Sequence, residues 1–84
     1  MIVLIPAYEP GRRLEPVVAG LFAADPDVEV VVVDDGSGPA FAPTFARVAT
    51  AGATVLRHEA NLGKAAALRT GLDHALTEHP ATTS

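Results

Sequence analysis

Apolar and polar positions fall in alternating blocks along this chain, and each block has its own period. Residues 2–5, Ile-Val-Leu-Ile, are continuously apolar, which predicts a strand buried on both faces, as in a parallel sheet. Pro6 is expected to stop that strand, having no N–H for the ladder, and Ala7-Tyr8-Glu9-Pro10-Gly11 reads as a turn. Over residues 12–24, Leu14, Val17, Val18, Leu21 and Phe22 share one helical face, with Arg12, Arg13 and Glu15 off it. Pro16 is tolerated in the first turn, and Asp25-Pro26-Asp27 ends the helix.

The second strand, residues 28–33, carries four consecutive valines, whose β-branching suits an extended backbone. It runs into Asp34-Asp35-Gly36-Ser37-Gly38. A weaker helix is predicted over residues 42–51, disturbed at its start by Pro39 and Pro43 and capped by Gly52. A third strand follows at residues 54–57. The last helix is predicted over residues 62–78, with Asn61 as N-cap and Ala65, Leu68, Leu72, Ala75 and Leu76 as its apolar face. Gly71 inside it marks close packing, Pro80 closes it, and Ala81-Thr82-Thr83-Ser84 is a polar tail. The order β-α-β-α-β-α predicts an α/β fold: a Rossmann-like three-layer parallel sheet with right-handed crossovers.

Composition narrows the function classes. The chain has 84 residues, enough for one small domain or part of a larger one. It has no cysteine, which removes disulfides, thiol catalysis and cysteine-ligated zinc. Only 5% of residues are aromatic, so the core must be aliphatic. A net charge of −4 argues against a nucleic-acid partner. The longest apolar runs are too short to span a bilayer.

Ligands of open α/β sheets bind at the carboxyl ends of the strands. Three predicted loops meet there, and they carry Tyr8, Glu9, Asp34, Asp35, Ser37, His58, Glu59, Asn61 and Lys64. Asp34-Asp35 is the sharpest feature. A carboxylate at a strand's end can accept an N–H from a nucleobase or the hydroxyls of a ribose; the plainer reading is an Asx turn or a helix cap. Asn61-Leu62-Gly63-Lys64 resembles a helix start able to hold an anion, and the plainer reading is an N-cap followed by a solvated lysine. Tyr8 can stack on a base or pad its loop. His58, His74 and His79 lack metal-ligand spacing and read as surface residues. No glycine-rich dinucleotide or P-loop fingerprint is present.

Three segments in order, Val3-Leu4-Ile5-Pro6-Ala7-Tyr8-Glu9, Val32-Val33-Asp34-Asp35-Gly36-Ser37 and Asn61-Leu62-Gly63-Lys64-Ala65-Ala66-Ala67-Leu68-Arg69-Thr70-Gly71, resemble glycosyltransferase family 2. The likeness is greatest to the branch that makes polyprenyl- or dolichyl-phosphate hexoses. The resemblance implies a GT-A fold and transfer of a hexose from a nucleotide-diphosphate sugar to an acceptor, a lipid (polyprenyl) phosphate in that branch. It implies that Pro6, Tyr8 and Glu9 line the nucleotide pocket, that Asp35 binds the base with Asp34 supporting the loop, and that Gly63 and Lys64 lie near base and diphosphate. A cation at a helix start suits a phosphate.

The family places an Asp-x-Asp motif at the end of the next strand, where it holds Mg²⁺ or Mn²⁺ and the donor diphosphate. The expectation is therefore that residues 1–84 form the N-terminal, nucleotide-binding half of a GT-A domain. Its metal site and acceptor half are expected to lie elsewhere, with no turnover by the chain alone. The resemblance places the parent enzyme in the cytoplasm, peripheral at the inner face of the membrane. The first strand is expected to be an apolar edge that invites self-association. The alternative is a non-catalytic nucleotide-binding module. A receiver domain fits worse, because Arg57-His58-Glu59 stands where its phosphoacceptor aspartate would follow the third strand. A nucleotidyltransferase would need a glycine-rich loop after the first strand.

Overall fold

The four valines at positions 30–33 are 0–1% exposed because they occupy the middle strand of a three-stranded sheet. The computed structural model describes residues 1–78. Strands β1 (Ile2–Ala7), β2 (Glu29–Asp35) and β3 (Thr54–His58) run parallel in the order β1-β2-β3. Helices α1 (Leu14–Ala24), α2 (Ala42–Thr50) and α3 (Lys64–Glu78) alternate with them, and a short 3-10 turn, Pro39–Phe41, leads into α2. This is the Rossmann-like α/β arrangement that the alternating pattern predicts.

Side chains of successive strand residues point to opposite faces, and that divides the valines between two cores. Val30 and Val32 pack in a cluster with Leu14, Val18, Phe45 and Val48, which is the α1 and α2 side. Val31 and Val33 pack with Ala67, with Leu4 and Leu56 partly buried beside them, which is the α3 side. Burying each of these valines contributes about 1.5–3 kcal/mol relative to leaving it in water. A run with no polar position is what a strand covered on both faces requires.

Several boundaries differ from the sequence reading, each for a local reason. Pro6 lies inside β1, opposite Val33. Among the described residues β1 pairs on one side only, so a residue without an N–H is tolerated there. Helix α1 begins at Leu14, and Val17 turns outward at 49% exposure while Leu14 and Val18 are buried. Helix α2 ends as Gly52 suggested: the Gly52 N–H donates to Ala49 O at 3.0 Å and the Ala53 N–H to Val48 O at 3.1 Å, with Gly52 at φ 122°.

The largest correction concerns α3. It starts at Lys64, two residues later than expected, and its buried face is Ala67, Gly71 and Ala75. Leu68, Leu72 and Leu76 are exposed, as is Ala65. The cause is close approach. A Cβ on Gly71 would meet Val33 Cγ2 at 3.3 Å and Leu4 Cδ2 at 3.4 Å, so the helix backbone rests almost directly on the sheet. The leucines follow one residue later, roughly 100° around the helix, and form a separate outward stripe. Pro80 as a stop, the polar tail and His79 lie outside the described residues.

Candidate functional site

Parallel strands bring the loops after β1, β2 and β3 to one rim of the sheet. The loops are tied to each other by backbone contact as well as by side chains. Gly36 (φ 77°) lies so close to the third loop that a Cβ there would stand 2.4 Å from Ala60 C and Asn61 N. Only glycine fits, on grounds of both conformation and space. Ser37 is buried; its N–H donates to Asp34 Oδ1 at 2.9 Å, and its hydroxyl oxygen accepts the Glu9 N–H at 2.8 Å. Glu9 itself has φ 46°, a left-handed backbone that costs a non-glycine residue about 1–2 kcal/mol. The hydrogen bond to Ser37 holds it there.

Asp35 is the hub. Its Oδ1 accepts His58 Nδ1–H at 2.7 Å and the Leu62 N–H at 2.9 Å, and its Oδ2 accepts the Gly63 N–H at 2.9 Å. The carboxylate therefore sits in front of the first turn of α3, where a helix favours negative charge. The His58 hydrogen bond, followed by the Leu62 N–H, holds its pKa below the usual carboxylate value, against the desolvation that would raise it. An ionised carboxylate can only accept, so the proton of this pair belongs on His58 Nδ1. Nε2 of the same ring lies 2.7 Å from Thr70 Oγ1 on α3 and, when the ring is neutral, accepts that hydroxyl proton. One chain of bonds thus joins β2, β3 and α3.

Beside this hub lies a cleft of about 420 Å³. The end of β1 supplies Pro6 and Ala7, the turn after it Tyr8, β2 supplies Asp35, the third loop Asn61 and Gly63, and α3 Lys64. Tyr8 lines the cleft and is half-exposed. The neighbouring Glu9 carboxylate, by charge and by hydrogen bonding, raises the Tyr8 phenol above its usual pKa. Lys64 is exposed and has no ion-pair partner among the described residues. An aromatic plane, a buried carboxylate and an unpaired cation thus share one cleft.

Of the residues singled out from sequence, Pro6, Tyr8, Asp35, Gly63 and Lys64 meet in that cleft, whereas Glu9 and Asp34 do not line it. Asp34 makes the Asx turn with Ser37, and Glu9 follows Tyr8 in the first loop, exposed and tied to Ser37 by its backbone N–H. Asn61 is not an N-cap; its amide donates to the Asp35 carbonyl at 3.3 Å, three residues before α3 begins. Nor are the first N–H groups of the loop open to an outside anion, since Leu62 and Gly63 already donate to Asp35.

His58 is the residue that sequence reasoning misplaced. Its side chain is 10% exposed and forms the bridge to Asp35; it is no surface residue, and His74 is partly buried too. The signal was the strand register. Asp35 and His58 are direct partners across β2 and β3, and aligning the two strand ends would have set them side by side. Among the described residues, no group of three or more His, Cys, Asp or Glu side chains could hold a metal ion. The string Asp25-Pro26-Asp27 stands at the amino end of β2, away from the cleft, where the Asp27 N–H donates to Asp25 Oδ1 in a local turn.

The family described as "Glycosyl transferase family 2" matches residues 2–82. No curated protein matches the chain. A solved structure similar to it is the mannosyltransferase PcManGT from Pyrobaculum calidifontis, in complex with GDP-Man and Mn²⁺. The two are 30% identical with a TM-score of 0.75, over 88% of this chain and 24% of that one. The chain thus spans about a quarter of the length of that structure.

Proposed function

Because the chain belongs to glycosyltransferase family 2, we propose that it is the nucleotide-reading part of an enzyme that transfers a hexose from a nucleotide-diphosphate sugar. The convergence of Tyr8, Asp35 and Lys64 on one cleft carries this reading. Tyr8 stacks on the base, Asp35 accepts a base N–H, and Lys64 neutralises the diphosphate. Gly63 allows the ligand close to the backbone. Pro6 lines the cleft, while Asp34 and the Glu9 backbone fix the loops through Ser37. That the similar mannosyltransferase is complexed with GDP-Man supports a nucleotide-sugar ligand.

The finer reading is a polyprenyl-phosphate hexose synthase, with a lipid phosphate as acceptor and the parent enzyme peripheral at the cytoplasmic face of a membrane. Among the described residues no helix is long and apolar enough to cross one. The residues described do not fit a metal site, so every step assigned to this chain is binding and orientation. The side of β1 that is unpaired among the described residues and the exposed stripe of Leu68, Leu72 and Leu76 support self-association of the chain on its own.

Calorimetric titration with nucleoside diphosphates tests the binding reading. Binding is expected in the micromolar to millimolar range, and Lys64→Gln should weaken a diphosphate by roughly three- to tenfold while leaving the free nucleoside unchanged. Equal losses for diphosphate and nucleoside would contradict the role of Lys64. No binding at all would remove the reading.

A further inference from the structure

The hydrogen bonds of Asp35 set a limit on what can bind there. A carboxylate has about four acceptor positions, two on each oxygen. Among the described residues, His58 Nδ1 and the Leu62 N–H take both positions on Oδ1, and the Gly63 N–H takes one on Oδ2. One position remains, on a side chain that is 4% exposed and borders the cleft. We propose that His58, by occupying Oδ1, restricts Asp35 to a single incoming N–H and so makes the cleft selective for a uracil nucleotide.

Donor counting on the bases gives the direction. Uracil presents one N–H on its pairing edge, flanked by two carbonyls. Cytosine and adenine present an amino group with two N–H bonds, and guanine an imino N–H beside an amino group. A carboxylate with both oxygens open would suit guanine, whose two neighbouring donors match it in a bidentate pair. With Oδ1 closed, guanine brings a surplus donor into a site with nothing to receive it, and an unpaired donor removed from water is unfavourable. Asn61, on the same wall, gives one amide N–H to the Asp35 carbonyl and keeps a second, which suits a uracil carbonyl. His58 is thus a positioning residue; it touches Asp35 and Thr70, not the ligand.

This inference rests on the nucleotide-binding reading above, and one experiment separates the two. The 84-residue chain is titrated calorimetrically with UDP, GDP, CDP and ADP. UDP is expected to bind roughly tenfold tighter than GDP, with CDP and ADP also weaker than UDP. In His58→Leu the UDP preference over GDP should shrink to roughly threefold or less, because one position on Oδ1 is released. Binding of GDP, CDP or ADP as tight as UDP overturns the selectivity and leaves the nucleotide site standing. No binding of any of the four removes the nucleotide reading and this inference with it. A folded His58→Leu with an unchanged preference overturns the role of His58. Nitrogen chemical shifts of the His58 ring in the wild-type chain give a readout that does not depend on the variant folding: Nδ1 protonated supports the closed Oδ1, and a ring protonated on Nε2 alone overturns it.

Discussion

Replacing Gly36 by alanine is the most severe single-atom change the fold offers near the cleft. The new Cβ would lie 2.4 Å from Ala60 C and Asn61 N and 2.8 Å from Ala60 O, all backbone atoms that cannot swing aside. The residue would also keep φ 77°, which costs an L-residue about 1–2 kcal/mol. Overpacking adds about 1–3 kcal/mol, so the expected loss is about 2–5 kcal/mol. A chain of 84 residues has about 4–13 kcal/mol in all, so this is a large share. Gly38 provides the control. At φ 88° and ψ 171°, with nothing within 4 Å of a built Cβ, Gly38→Ala should show backbone strain alone, about 1–3 kcal/mol in a region that glycine nearly monopolises. Any gain from a stiffer unfolded chain is common to both and cancels in the difference. Urea unfolding followed by circular dichroism measures the two. With a slope near 1 kcal/mol per molar for so small a protein, Gly36→Ala should lower the midpoint by about 2–5 M relative to the unaltered chain. A loss of about 1 M or less in Gly36→Ala, no more than strain alone would cost, would refute the claim that the second and third loops are packed backbone to backbone.

Three further outcomes follow from the same contacts. Asp35 has a folded pKa below its unfolded value, held there first by His58 and then by the Leu62 N–H, so the stability it supplies is complete above the unfolded value and is lost as pH falls through the folded one. The urea midpoint should therefore decline below about pH 4, and Asp35→Asn should flatten that part of the decline; an identical acid slope in the variant would contradict it. Tyr8 is the single tyrosine and there is no tryptophan, so absorbance near 295 nm follows its phenol directly; the midpoint should lie above the usual value and fall toward it in Glu9→Gln. The Arg47 Nε–Glu15 Oε1 pair at 2.8 Å is solvent-exposed, and Glu15→Gln should change stability by less than about 1 kcal/mol in urea unfolding.

Much of this fold was legible because its strongest signals are local. Four consecutive valines with no polar interruption can only be satisfied by cover on both faces, and the helices on either side of the sheet supply it. Gly52 likewise announced its cap from position and residue type. What escaped was relational. Periodicity assigns the large leucines of α3 to the buried face, yet the distance between helix and sheet is set by Gly71, and at that distance Ala67 and Ala75 fill the space. Asn61 has the chemistry of an N-cap but is drawn away by the Asp35 carbonyl. The site was half-legible for the same reason. Tyr8, Asp35 and Lys64 stand at strand and helix ends that the alternation locates, whereas the Asp35–His58 pair depends on the register between β2 and β3.

A nucleoside diphosphate must enter the cleft between Tyr8, Asp35 and Lys64, and amide chemical shifts of the labelled chain, followed while UDP is added, read that out directly. The expected result is saturable movement of the Tyr8, Asp35, Gly63 and Lys64 amides, with Val18, Arg47 and Val48 in the α1–α2 groove unmoved. Movement confined to that groove, or none anywhere at millimolar UDP, would contradict it.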